Sequence, residues 1–279
     1  MPDMTSIEPL VSQLPVLAAA GIVAGLLAGL LGIGGGIVLV PAGLIVLGAL
    51  QVPASVSMHV AIATSSAAIV FSAMSSALAH HRLGSVDWVT VQRWALWTAA
   101  GAFAGGVISR YINGDWLRLL FMLLAVFVGF RFLRPTDHQP TAARALPLVA
   151  QRGIATLIGL FSAWLGIGGG SFTVPVLTTL GTAVSRAIAT SAALGNCIAL
   201  PATLGFIIAG LDAAGRPPLS IGYVHTPSLV VFALSAMALA PVGARLAHRI
   251  NQRRLKQLFG VFLWIAALRI ATGLMANTS

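Results

Sequence analysis

Charge is scarce in this sequence. Of 279 residues only 8% are charged, roughly a third of the share in a soluble domain, and Lys256 is the one lysine. With 58% hydrophobic residues and a mean hydropathy of +0.95, the chain has too little polar surface to cover a water-soluble globule, and that class is excluded. The six acidic residues all fall in terminal or loop segments, so no carboxylate marks a proton relay inside the bilayer. A single cysteine, Cys197, excludes an intramolecular disulfide framework and a clustered thiolate metal site; inside its apolar run it reads as a small packing residue. The first fourteen residues contain Asp3 and Glu8 but no Lys or Arg. They lack the basic start of a cleaved signal peptide, so the N-terminus is expected to be retained and to lie outside.

What is present is apolar length. Runs suited to helices in hydrocarbon span Leu14 to Leu50, Val56 to Ala79, Trp88 to Ile112, Trp116 to Leu133, Leu148 to Leu180, Ala183 to Leu211, Tyr223 to Ala247 and Leu255 to Met275. Two of these far exceed one crossing, and each is interrupted by three consecutive glycines, which destabilise a continuous helix. Each is expected to bend or double back there. The polar stretch Arg134 to Pro147 divides the chain. Across it, Leu31 to Pro41 matches Leu165 to Pro175 at eight of eleven positions, and Ala61 to Ala67 matches Ala187 to Ala193 at six of seven. Asn113, Leu117, Phe121 and Arg131 share their mutual spacings with Asn251, Leu255, Phe259 and Arg269. The order is the same in both halves, so the chain is an internal duplication: residues 1–133, a linker 134–147, and residues 148–279.

Charge decides how the halves are oriented. Sixteen basic against six acidic residues give +10; on a soluble protein that balance raises the question of nucleic acid. Here the arginines flank apolar runs, as loop charges that set topology do. If each long run crosses once, the basic residues divide eight to eight. If each turns back at its glycines, one side collects twelve (Arg82, Arg93, Arg131, Arg134, Arg144, Arg152, Arg186, Arg245, Arg249, Arg253, Arg254 and Lys256) and the other keeps Arg110, Arg118, Arg216 and Arg269. Only the second division obeys the positive-inside rule. The expected fold is therefore an all-α polytopic membrane protein of two inverted-topology repeats, each a glycine-broken hairpin plus three transmembrane helices. The linker is then cytoplasmic and both termini periplasmic.

Inverted repeats with broken helices are the architecture of secondary transporters, whose sites lie where the repeats meet. In Gly32 to Gly36 and Gly166 to Gly170, residues without Cβ bend the chain and expose N–H groups at the start of the next half-helix, which favours an anion. Gly34, Gly35, Gly36, Gly168, Gly169, Gly170 and Ser171 are the expected donors, with Pro41 and Pro175 loosening the arms that follow. Close helix packing is the plainer role for such glycines, but two near-identical copies favour a site. Thr64, Ser65, Ser66, Thr190 and Ser191 add hydroxyls in the following helices, although membrane hydroxyls commonly bond their own backbone. Asn196, corresponding to Val70, is expected to orient a substrate oxygen or to bond a neighbouring helix. His59 corresponds to Ser185 and either titrates during transport or sits at the interface. His80, His81, Arg82 and Asp87 read as a polar loop. Arg131 and Arg269 either snorkel or draw an anion into the vestibule.

Enzyme signatures fare poorly. No Lys-Ser/Thr follows the glycines, as a phosphate loop requires, and a dinucleotide fingerprint lacks its third glycine. Gly169-Gly-Ser171-Phe resembles the Gly-x-Ser-x of rhomboid-type proteases, but no histidine occupies the middle of a later helix to act as base. No catalytic residue, cofactor or metal is expected.

The paired Gly-Ile-Gly-Gly-Gly-x-x-x-Val-Pro motifs, the Ala-Ile-Ala-Thr-Ser segments and the stretch His81 to Trp88 resemble the TauE/SafE family over nearly the whole chain. The resemblance implies a bacterial inner-membrane permease for sulfite, sulfonates or related sulfur-containing anions. The expected function is a secondary transporter that exports such an anion by alternating access, with an anion channel or a Ser171-based intramembrane protease as the alternatives. Sulfite itself titrates near neutral pH, so proton coupling stays open, as does the oligomeric state.

Overall fold

The computed structural model describes residues 8–32, 34–133 and 146–247, with 257, 260, 261 and 263–268. In order these form α1 (Glu8–Leu31), α2 (Gly36–Ala49), α3 (Ala54–Arg82), α4 (Trp88–Ile108), a 3-10 turn (Ser109–Tyr111), α5 (Gly114–Leu133), α6 (Leu148–Leu165), α7 (Gly170–Thr179), α8 (Val184–Ala209), β1 (Ser220–Ile221), β2 (Val224–His225) and α9 (Thr226–Leu246). Residues 263–268 are also helical. Among the described residues, five helices are long and apolar enough to cross a membrane: α1 over Ser12–Leu31, α3, α6, α8 and α9. Most of the linker, the charged segment from Arg249 to Lys256, Phe259, Arg269, both chain ends, Ile33 and the side chain of Arg131 lie outside the described residues.

Both overlong runs break at their glycines. α2 has 14 residues and α7 has 10, lengths of about 21 and 15 Å at 1.5 Å per residue. Neither spans the roughly 30 Å hydrocarbon core alone, so each is the short arm of a hairpin. The long helices pair across the halves in matching fashion: α1 lies along α9 and α6 along α4, while α3 packs on α9 and α8 on α4. These contacts are close because small residues face backbone. Gly25 meets Ala236 and Gly29 meets Ala240, and correspondingly Gly101 meets Thr156 and Gly159 meets Thr98. Without a strong hydrophobic force between helices in lipid, such backbone contact is the main source of cohesion.

Two expectations change. The fold is not entirely helical, because Ser220 pairs with His225 and Ile221 with Val224 in a small antiparallel hairpin. The run expected from Tyr223 therefore becomes helix only at Thr226, where a proline in the first turn is tolerated because its missing N–H has no helical acceptor. Nor do His80, His81 and Arg82 form a loop. They are the last turn of α3, which ends at Arg82; Leu83 caps it and Gly84 takes a left-handed φ of 66°. His80 is buried, with Nε2 3.0 Å from the Gly29 carbonyl oxygen. Asp87 then caps α4, accepting from Val89 N at 3.1 Å and Thr90 N at 3.3 Å.

Candidate functional site

The two glycine turns meet each other. A Cβ on Gly34 would fall 2.7 Å from Gly168 Cα, and one on Gly36 would overlap the Gly166 carbonyl oxygen. Only glycine permits this approach. Gly35 and Gly169 cap α2 and α7 with left-handed φ values of 77° and 78°, and neither supplies a side-chain cap. The Gly35 carbonyl accepts from Val38 N and Leu39 N at 3.0 and 3.2 Å; the Gly169 carbonyl accepts from Phe172 N and Thr173 N at 3.0 and 2.8 Å. The N–H groups just before them, on Gly36 and Ile37 and on Gly170 and Ser171, have no backbone acceptor among the described residues. Two helix starts, each with free donors and the positive end of a dipole, thus face one small region. Pro41 and Pro175 lie within the arms and withhold the N–H that would otherwise bond the carbonyls of Ile37 and Ser171.

The duplicated hydroxyls reach across to the opposite half. Ser65 donates to the Gly166 carbonyl at 2.9 Å, and Ser191 donates to the Gly32 carbonyl at 3.1 Å. Thr64 Oγ1 accepts from His225 N at 3.0 Å, and Thr190 Oγ1 accepts from Asp87 N at 3.0 Å. All four residues are buried. Each half's Thr-Ser pair therefore holds one glycine turn and one helix start of the other. Asn196, with its amide oriented to satisfy both neighbours, donates to Val70 O at 2.8 Å and accepts from Met74 N at 2.9 Å. It touches the very residue it corresponds to, joining α8 to α3. Ser72 bonds Gly34 O at 3.4 Å and Ile69 O at 3.3 Å, and Ser76 bonds Ala28 O at 3.3 Å. The Ser171 hydroxyl is buried with no partner, and the same holds for Ser162 and Thr173, which sequence reasoning missed.

A second polar cluster surrounds the start of α3. His59 Nε2 lies 3.1 Å from both Ser109 O and Ile112 O, and its ring stacks on Tyr223 at 5.0 Å between centroids. Arg118 donates to Ala54 O at 2.9 Å, to Ser57 Oγ at 2.7 Å and to Asp115 Oδ1 at 2.9 Å. His225 Nδ1 meets Ser228 Oγ at 2.8 Å. Arg118 and His225 were not singled out in the sequence; both look like end-of-helix residues until the fold buries them. At the charge-rich end, burial pushes the Asp87 carboxyl up, but hydrogen bonds from Thr90 and Val89, with the charge of Arg186, outweigh it and hold the group below its ordinary value.

Comparison with known proteins gives this geometry a family. The chain is 32% identical over 251 residues to a probable membrane transporter protein of Haemophilus influenzae, covering 90% of this chain and 95% of that one. It is 28% identical over 278 residues to the probable membrane transporter protein YtnM of Bacillus subtilis, covering 96% and 86%. It is 23% identical over 258 residues to the probable membrane transporter protein MJ0441 of Methanocaldococcus jannaschii, covering 91% and 94%. No solved structure matches. The family model described as "Sulfite exporter TauE/SafE" matches residues 17–270; the chain belongs to the TauE/SafE family.

Proposed function

We propose that this protein is a secondary transporter that exports a small sulfur-containing anion, of the sulfite or organosulfonate class, across the bacterial inner membrane. The observation that carries the reading is the meeting of two glycine turns whose helix-start N–H groups lack acceptors among the described residues. Such donors favour an anion without requiring a buried Lys or Arg, which suits binding that must also release. The family description and the transporter names of the relatives support the same class.

In this reading residues 1–133 and 148–279 are inverted repeats joined by a cytoplasmic linker, with both termini periplasmic. The reciprocal bonds of Ser65 with Gly166 and Ser191 with Gly32 support a two-fold relation between them. Gly34, Gly35, Gly36, Gly168, Gly169, Gly170 and Ser171 line the anion site, and Pro41 and Pro175 shape the arms that move. Thr64, Ser65, Thr190 and Ser191 border it, the serines as struts that fix the turns and the threonines as struts that fix the starts of α9 and α4. Asn196 holds α8 to α3 behind it. Movement of one repeat against the other alternates access.

Flux into proteoliposomes tests this. Labelled sulfite or methanesulfonate should enter saturably and exchange faster against the same anion inside, whereas a channel would give linear flux. Gly35→Val and Gly169→Val should each abolish flux while membrane insertion stays normal. Full flux in both variants overturns the glycine-turn site.

A further inference from the structure

The two turns differ in their side chains. Buried hydroxyls in membrane helices ordinarily find a backbone partner in their own helix or a neighbouring element, and most here do so: Thr98 bonds Trp94 O at 3.0 Å, Thr203 bonds Ala199 O at 2.7 Å, Ser65 bonds Gly166 O at 2.9 Å and Ser191 bonds Gly32 O at 3.1 Å. Four buried hydroxyls among the described residues have no partner, and three of them, Ser162, Ser171 and Thr173, sit at the second turn; the fourth is Ser220 in β1. Ser162 and Thr173 are both 0% exposed. Their oxygens lie 3.6 and 3.5 Å from where a Cβ on Gly169 would be, so they flank the residue that starts α7. The Ser162 carbonyl is already occupied by Ile167 N at 3.1 Å. The corresponding residues of the first turn are Ala28, Ile37 and Leu39, all buried and all without a polar atom in the side chain. An unpaired buried hydroxyl lowers stability, and three at one glycine turn point to a ligand that pairs them.

We propose that the side chains that bind the substrate come from the second turn alone. Ser162 Oγ, Ser171 Oγ and Thr173 Oγ1, with the N–H groups of Gly170 and Ser171, take the oxygens of a singly charged oxyanion, and the first turn contributes backbone only. The charge state follows from the donors. No ionisable side chain occurs between Arg152 and Arg186, so every donor on this hairpin is neutral. The cost of bringing an ion out of water rises steeply with its charge, so a monoanion such as a sulfonate or hydrogensulfite is preferred to sulfate.

This inference rests on the transport reading, and binding to the purified full chain in detergent separates the two. Methanesulfonate and sulfate are titrated calorimetrically at pH 7 into the wild type, Ser162→Ala, Thr173→Val and the first-turn control Ala28→Ser. The expected result is saturable binding of methanesulfonate at least tenfold tighter than sulfate. Each second-turn variant should weaken it about tenfold or more, the loss of one hydrogen bond to a charged acceptor, and the control should leave it unchanged. The ligand-free second-turn variants should melt at or above the wild-type temperature, because an unpaired polar atom has been removed; a hydroxyl with a purely structural bond would lower it. Unchanged affinity in both variants, with the wild type binding, overturns the inference and leaves the transporter standing. Equal affinity for sulfate overturns the monoanion assignment. If the wild type binds neither anion, the anion-transport reading fails and this inference falls with it.

Discussion

The short arm after the first glycine turn, α2, buries nine of its fourteen residues, whereas α7, after the second, buries only Gly170, Thr173 and Leu177 of ten. Ser72 and Ser76 of α3 reach the backbone of the first turn; the second has Ile198 of α8 beside Gly169 instead. The bonds that cross from one half to the other, Ser65 to Gly166 with Ser191 to Gly32 and Thr64 to His225 with Thr190 to Asp87, are duplicated, while the other side chains around the two turns have diverged. A repeat keeps its scaffold wherever the scaffold is reciprocal, because a change in Ser65 or Gly166 is felt in the other half. On the proposed site it is free to change, because there one turn would face the substrate with side chains and the other only with backbone. α7 is the more loosely packed of the two arms.

The strongest way to break this picture is to fill the contact between the turns. Gly36→Val drives a side chain into the Gly166 carbonyl and should cost at least about 3 kcal/mol as overpacking, read as a large fall in thermal midpoint in detergent. Its sharpest test compares the reciprocal serines. Ser65→Ala and Ser191→Ala each leave a buried glycine carbonyl unpaired, and each should cost about 1–3 kcal/mol; a difference between them well above about 1 kcal/mol would mean that the two latches are not equivalent. Asp87→Ala should cost about 1 kcal/mol through loss of the α4 cap. Because the fold lowers the Asp87 pKa, its contribution is complete above the ordinary carboxylate range and disappears as pH falls through the lower folded value. Asp87→Asn should therefore flatten the acid limb of a stability profile. Smallest is Ser72→Ala, below about 1 kcal/mol, since its hydroxyl is divided between two carbonyls at 3.4 and 3.3 Å.

Much of the fold was legible because glycine and hydropathy act locally. Three glycines in a run too long for one crossing mark a break wherever they occur, and α1, α2, α6 and α7 end and begin there. The partners of Thr64 and Ser65 were not legible, since the bonds run to residues 161 and 101 positions away and nothing in the spacing encodes them. His80 reads as loop because of its charged neighbours; the close pass of α1 beneath α3 buries it against Gly29. Ser162 and Thr173 were open to discovery by setting the halves side by side, where each replaces an apolar residue. Taken singly, each resembles any hydroxyl that bonds its own helix, and only the fold shows that these do not.

The Ser191 to Gly32 latch also sets an order of events during synthesis. The Gly32 carbonyl emerges from the ribosome 159 residues before the hydroxyl that pairs with it, a delay of roughly ten to thirty seconds at usual elongation rates. Until then the first hairpin enters the bilayer with a bent backbone and a carbonyl still lacking the Ser191 bond, in a solvent that offers no substitute. The latch therefore closes only once the second half has been made, and the Gly32 carbonyl gains this bond late in synthesis.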